Sequence, residues 1–586
     1  MNDALEKLRN KRTVNPILER GKLPEVEFTH SILADYIIFT LLILFLGYSL
    51  LSKTLSLLLG NQELLISFLS LVGTIGALLL FWFWPFFFIL NLKRKVGAFP
   101  KDDILKHFNK RYQWLTPYLY QYKLIEPTTP VEEKCAFAQE RSPTNFKLWL
   151  GESTGILVNL WHRAGMAAHQ QVNLSLTDAC QNILVLGGIG SGKTTGVMQP
   201  LLLQCLDQGC GGLIFDIKGD VKEVVSQFAA LTKRKLVILG PNHLNTNLLE
   251  GLSPEVAASF LKSAFLLSNK AQDPFWVDTA TELCRNTLGM LSFLQGEYNL
   301  QSLYQYLFEL DHQETLNQKI DSLLPTLPEK AQKLLKNYCQ YQELIFSHFD
   351  AKIKSGVYAT VAQVLSPFKH PELMEAFCAK EANLTGMEHV LSGSIYLIDL
   401  PLSRFGLGAK VAYTFIKLRF FNVMQTRDQY QEYDPQNPVF FMCDEFQEIV
   451  SANREGLSDL NFWDKARSSK TIGIISSQSI ASFYAALGSH DLAHALLQNF
   501  RQKLCLRTED PLTLEYIERL IGHARTKKMS ESKGDKQASK TISEARERVV
   551  DAQLFRELKP NQAVAILSVN GHSMDDVLTL SPIYVN

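Results

Sequence analysis

Charge imbalance is absent: 59 Lys and Arg stand against 59 Asp and Glu in 586 residues. Net charge therefore neither points to nor excludes a nucleic-acid partner. A cysteine framework is also missing. Nine cysteines are scattered through the chain, and only Cys205 and Cys210 lie near each other, at a spacing that suits neither a zinc knuckle nor a disulfide scaffold. That excludes a disulfide-stapled secreted domain and predicts reduced thiols in a cytosolic body. A secretory signal is absent too, since the first apolar run starts too far from Met1 and lacks a small-residue cleavage site.

Long apolar runs are present, and both are near the N-terminus. Tyr36–Ser52 reads YIIFTLLILFLGYSLLS without a charge; as helix it rises about 26 Å, close to a hydrocarbon core of roughly 30 Å. Leu64–Leu92 is likewise uncharged and contains FWFWPFFF, with Pro85 as a break and Trp82 and Trp84 suited to the interfacial belt. Lys7, Arg9, Lys11, Arg12, Arg20 and Lys22 precede the first run, and Lys93, Arg94 and Lys95 follow the second. The positive-inside bias then predicts a membrane hairpin with both flanks in the cytoplasm.

The stretch GGIGSGKTTG, Gly187–Gly196, fits the phosphate-binding pattern G-x-x-x-x-G-K-[ST]. Its glycines let successive backbone N–H groups curl around a phosphate, and a helix N-terminus adds partial positive charge. The nucleotide-contacting set is Gly187, Gly188, Ile189, Gly190, Ser191, Gly192, Lys193, Thr194 and Thr195. Lys193 reaches the β/γ-phosphate oxygens, and the Thr194 hydroxyl sits on Mg²⁺. An apolar strand, NILVLG, precedes the loop, and a helical stretch with Pro200 as a kink follows it. PVFFMCDEF, Pro438–Phe446, reads as a buried strand running into two acids. Asp444 is expected to hold Mg²⁺ and Glu445 to orient the attacking water. ATP and Mg²⁺ are the cofactors this pairing calls for.

Further short apolar runs are spaced as in alternating α/β folds: GGLIFD, KLVILG, GSIYLIDL, TIGIISSQ and KLCLRT. They predict a parallel, doubly wound sheet. QAVAILSV and DDVLTLSP, joined around NGHS, resemble a closing hairpin. Between Pro254 and Met387 the apolar residues recur at helical period, as in SLYQYLFELDHQETLNQKIDSLL, and predict an all-helical lobe. His523–Val550 is polar, with eight basic and four acidic residues. It reads either as a solvated surface loop or as a basic loop facing a phosphate backbone.

The ordered set of features resembles the coupling proteins of type IV secretion systems, the conjugative DNA-transfer ATPases of the TraG/TraD type. It comprises paired N-terminal spans, GGIGSGKTTG, FDIKGD (Phe215–Asp220), DPFW (Asp273–Trp276), MCDEF, ISSQSIASF and QNFRQKLCLRTED. The resemblance implies an α/β fold: a RecA-like P-loop motor domain with an inserted all-α domain and an N-terminal two-helix transmembrane hairpin. The expected division is a cytoplasmic segment at 1–32 and the hairpin at 33–92, with spans at about 36–52 and 66–90. A connector with the first part of the motor follows at 93–253, the all-α domain at 254–387 and the rest of the motor at 388–586. The resemblance also implies a homo-hexamer in the bacterial inner membrane with its ATPase domain cytoplasmic, docked on secretion-channel components. Its cargo would be a DNA–relaxase complex, effector proteins, or both.

The family's motor residues fall on Lys193, Thr194, Asp444 and Glu445, with Gln478 as the γ-phosphate-sensing glutamine. Read from sequence alone, Gln478 is a phosphate-contacting amide or a satisfied core amide. Arg507, with Arg501 as its competitor, is the candidate for an arginine reaching a ring neighbour's nucleotide. Asp216 and Lys218 are assigned to the ring interface. A long C-terminal extension has little room before Asn586. A protein-only recruitment platform and a chromosome-segregation pump of the FtsK type are the alternatives, although the latter carries more spans and a winged helix. An ABC exporter fails on spacing, because LSGS at Leu391–Ser394 lies some fifty residues upstream of the acidic motif.

Overall fold

The computed structural model describes Lys53 and residues 146–585, apart from 159–163, 269–272, 381–385, 431–432, 435, 453–455 and 535–536. Pro117–Asn586 with Met1–Asn15 form one compact unit and Pro16–Thr116 a second; apart from Lys53, the described residues belong to the first. Both expected membrane spans and the N-terminal cytoplasmic segment lie outside the described residues. Among those described, no helix is long and apolar enough to cross a membrane.

In chain order, β1 (Lys147–Ser153) and β2 (Gln171–Ser175) precede β3 (Ile183–Leu186) and helix α1 (Gln199–Asp207). Then come β4 (Gly211–Asp216), α2 (Lys222–Leu231) and β5 (Leu236–Leu239). A wholly helical stretch follows: α3 (Pro254–Ser268), α4 (Pro274–Leu291), α5 (Leu300–Phe308), α6 (Leu310–Leu323), α7 (Glu329–Gln340), α8 (Ala351–Leu365) and α9 (Pro371–Phe377). The chain returns through β6 (Ile395–Asp399), α10 (Leu402–Gln425), β7 (Val439–Cys443), β8 (Thr471–Ser477), α11 (Ile480–Leu487), α12 (His490–Leu497), β9 (Gln502–Cys505) and α13 (Pro511–Ile521). It closes with β10 (His523–Gly534), β11 (Gln537–Arg548), β12 (Gln562–Val569) and β13 (His572–Thr579).

The main sheet has eleven strands in the order β2-β1-β13-β12-β9-β3-β8-β7-β4-β6-β5. From β9 to β5 neighbouring strands are parallel. From β12 to β2 they pair antiparallel. The strands expected to form a parallel sheet do so, and the closing hairpin and the two opening strands extend its β9 edge antiparallel, which makes the whole sheet mixed. β4, β7 and β8 are buried along their whole lengths, as strands covered on both faces must be. Their side chains still alternate. Val185, Ile214, Phe440 and Met442 enter one core with α1 and α2, while Leu186, Phe215, Phe441 and Cys443 enter the other with α3 and α10. That second core runs on without a break into α4, α8 and α9, and Phe260 of α3 meets Phe415 of α10 edge-on at 5.8 Å between ring centroids. Helices on both faces make the parallel part doubly wound.

Three local expectations are revised. The kink expected at Pro200 takes the form of a π-helical turn, Thr194–Met198, ahead of α1; proline has no N–H for the ladder, and the widened turn absorbs the mismatch. The closing hairpin turns on Asn570 and Gly571 alone, both at positive φ (51° and 79°), so His572 and Ser573 already belong to β13. The polar segment after α13 is not a loop but a two-stranded antiparallel ribbon, β10–β11, separate from the main sheet. The eight described cysteines are all free, and all but Cys339 are buried.

Candidate functional site

Parallel strands deliver their C-terminal ends to one edge of a sheet, where ligands of open α/β folds are held. At that edge β8 lies between β3 and β7, with Ser477 level with Leu186 and Ile475 level with Cys443. On the far side of β7, Phe215 of β4 is level with Cys443. Four chain segments 29 to 291 residues apart in sequence, beginning at Gly187, Asp216, Asp444 and Gln478, therefore converge within a few residues of their strand ends.

The loop after β3 curls as a phosphate cradle must. Gly190 and Gly192 take φ of +71° and +89°, a region closed to most side chains, and nothing lies within 4 Å of where a Cβ on Gly190 would stand. The loop is tied to β9 through the Gly188 N–H, which donates to the Arg507 carbonyl at 2.9 Å. Ile189 at its tip is 89% exposed, and the Ser191 hydroxyl is buried without a partner. The Lys193 ammonium is turned back onto the loop, donating to the carbonyls of Gly187 (2.7 Å) and Gly188 (3.2 Å). Burial holds it below the usual lysine value, against the pull of Asp444 and Glu445.

Asp444 and Glu445 sit where β7 ends. Asp444 Oδ2 accepts from the Thr194 hydroxyl at 3.3 Å and from Lys218 Nζ at 3.1 Å. Its Oδ1 accepts from the Ser476 hydroxyl and from the Glu445 N–H. Burial works to raise this carboxyl, but the Ser476 bond and the Lys218 and Lys193 cations outweigh it and hold it below the usual value. Glu445 Oε1 accepts from Gln478 Nε2 at 3.2 Å and contacts Lys218 Nζ at 3.0 Å, and Oε2 accepts from Gln447 Nε2 at 2.8 Å. Lys218 is held above its usual value: burial pulls it down, and the two carboxylates more than reverse this.

Thr194, Asp444, Glu445 and Gln478 are thus brought into one hydrogen-bonded group, with Lys193 on the adjoining loop. Arg507 is beside that loop through its main chain, and its side chain is exposed, as is that of Arg501. Lys218, Ser476 and Gln447 were not assigned to the site from sequence. Their only sequence signal is a position next to a strand end, which is informative once β4 and β8 are known to flank β7. The oxygen donors at Thr194 and Asp444 suit Mg²⁺, which takes one or two protein oxygens and leaves the rest to phosphate and water. No cluster of three or more His, Cys, Asp or Glu residues able to hold a metal occurs among the described residues.

A family model, that of the type IV secretion-system coupling protein DNA-binding domain, matches residues 167–564. Among solved structures the chain is similar to the bacterial conjugative coupling protein TrwBdeltaN70 in its unbound monoclinic form. The match has 15% identity, 71% of this chain and 87% of that chain covered, and a TM-score of 0.52. The plasmid coupling protein TrwB in complex with ADP and Mg²⁺ matches at 15% identity, with 70% and 86% covered and a TM-score of 0.50. TrwB with the non-hydrolysable GTP analogue GDPNP matches at 16% identity, with the same coverage and a TM-score of 0.50. At such identities the likeness is one of fold. No curated protein matches the chain.

Proposed function

The chain belongs to the family of type IV secretion-system coupling protein DNA-binding domains, and from that premise we propose that it is an ATP-hydrolysing motor that brings DNA–protein or protein substrates to a secretion or conjugation channel. The observation that carries this reading is the convergence of the Lys193–Thr194 loop with Asp444 and Glu445 at the strand ends.

Each residue then has a role set by its position. The loop N–H groups and Lys193 bind the nucleotide phosphates, Lys193 leaving the loop carbonyls to do so. Thr194 and Asp444 hold Mg²⁺, which supplies charge neutralisation at the β- and γ-phosphate oxygens. Glu445 orients the attacking water and Gln478 positions Glu445, from which its amide can pass to phosphate. Arg507 is the candidate for charge stabilisation at a neighbour's nucleotide in a homo-hexamer. The apolar runs at about 36–52 and 66–90 anchor the protein in the inner membrane with the motor cytoplasmic. The family's description as DNA-binding favours a DNA–relaxase substrate over effector proteins alone.

ATP hydrolysis by the full chain, alone and with single- or double-stranded DNA, tests this. Lys193→Ala and Glu445→Gln are expected to lower turnover at least ~100-fold, as loss of a positioned catalytic group does. Stimulation by DNA is expected, and it should fall steeply with salt because phosphate contacts release counterions. Full transport in either variant would remove the motor assignment. Hydrolysis indifferent to DNA would move the reading to protein recruitment.

A further inference from the structure

The side chain of Lys218 bridges two carboxylates. Its ammonium lies 3.1 Å from Asp444 Oδ2 and 3.0 Å from Glu445 Oε1. Asp444 Oδ2 is also the oxygen that accepts from the Thr194 hydroxyl. A cation held by Thr194 and Asp444 must share this oxygen, directly or through water, so the lysine ammonium stands in for that cation.

The backbone carrying Lys218 is fixed while the side chain is not. Asp216, fully buried, accepts from the N–H groups of Gly219 and Asp220 at Oδ1 and of Val221 and Lys222 at Oδ2, at 2.7 to 3.2 Å. Four charge-assisted bonds from one carboxylate lock the turn that follows Lys218. Gly219 takes φ of +84°, and a Cβ there would stand 2.7 Å from Pro401, so the turn is also packed against the chain after β6. In contrast, the Lys218 side chain is 43% exposed, and its flexible stem can carry the ammonium into solvent without disturbing the turn.

The geometry points to Lys218 as a built-in counter-cation that competes with Mg²⁺ for Asp444. This rests on the nucleotide-site reading above and extends it to regulation. Without Lys218 or a metal, Asp444 and Glu445 would keep only the more distant Lys193 as a compensating cation. Lys218 pairs with both carboxylates, and Glu445 is held by Lys218, Gln478 and Gln447. Loading of Mg²⁺ would displace Lys218 from Asp444 and, with it, break the Lys218–Glu445 ion pair, leaving Glu445 to the amides of Gln478 and Gln447. Lys218 is a positioning residue in this scheme: it touches the carboxylates and no reacting atom.

The test is Mn²⁺ binding to the full-length, nucleotide-free protein, read by electron paramagnetic resonance and by the rise in melting temperature on adding Mn²⁺. Lys218→Met is expected to tighten Mn²⁺ binding at least about tenfold, the scale of removing one competing charge at a partly buried site. Lys218→Arg, which keeps the cation, is expected to behave like the parent, and the gain should vanish in the Lys218→Met/Asp444→Asn double variant. Lys218→Gln serves as a second neutral variant should Lys218→Met fold poorly. Unchanged Mn²⁺ binding in the neutral variants overturns the inference. So does a weaker grip on Mg²⁺ and a fluorescent ADP analogue, which would make Lys218 a nucleotide ligand. Failure of the parent itself to bind that analogue with Mg²⁺ would instead remove the nucleotide-site reading.

Discussion

Glu445 is held in the left-handed region, φ 54° and ψ 46°, at a cost of roughly 1–3 kcal/mol for a non-glycine residue. Its carboxylate is held from three directions, and the segment after it is anchored by a buried ion pair. Lys417 of α10 donates to the Ile449 carbonyl and to Asp459 Oδ2, both partners of the pair being wholly inaccessible. Asp459 in turn accepts from the Ser451 N–H and hydroxyl and from Trp463 Nε1. A satisfied network of this kind fixes geometry more than it adds stability. Lys503 on β9 lacks such compensation. Burial, reinforced by Arg501, brings its value down to about 8, and its ammonium reaches only the Phe500 carbonyl. The folded state therefore binds that proton less tightly than the unfolded chain does. The stabilising effect of the neutral amine is full above the unfolded value near 10.5 and is lost as pH falls to about 8. Lys503→Met is expected to raise stability at pH 7 by on the order of 2 kcal/mol. Denaturant melts at pH 7 and pH 10 should show that gain shrinking at the higher pH; a gain equal at both would contradict the linkage.

At the scale of elements, the two hairpins near the C-terminus differ in what specifies them. β12–β13 alternates apolar residues into the sheet and turns on Asn-Gly, a pair that accepts positive φ at both positions. Its sequence announces it. β10–β11 has no apolar face and reads as a loop, yet its ladder runs from His523 opposite Arg548 to Gly534 opposite Gln537. Because this ribbon adds no strand to the eleven-stranded sheet, replacing 526–545 by a short Gly-Ser turn is expected to leave the melting temperature within about 2 °C, as for a surface excision costing under ~0.5 kcal/mol. A large drop would mean that the ribbon packs against the motor.

At the scale of the molecule, helices α3, α4, α8 and α9 share one hydrophobic core with the sheet, so the inserted helices and the strands are expected to unfold together. Phe260→Ala, which removes a buried ring between α3 and α10, should cost about 3–5 kcal/mol. Hydrogen exchange should then speed up in β4 and β7 as well as in α3. Loss confined to the helices would mark them as an independent unit.

The phosphate loop, the acidic strand end and each strand of the parallel sheet were legible in the sequence. All three depend on local chemistry: glycine spacing, an apolar run between polar ends, and a helical or two-residue period. Strand order was not, since it depends on contacts between residues far apart in the chain. That order places β8 between β3 and β7, and β4 beyond β7. It brings Ser476 and Lys218 to Asp444, and Gln478 to Glu445. The amino-acid sequence by itself singled out the glycine-rich loop and the acidic strand end as the candidate site. Only the tertiary structure decided which of those groups touch, because a charge finds its partner through the lateral packing of strands.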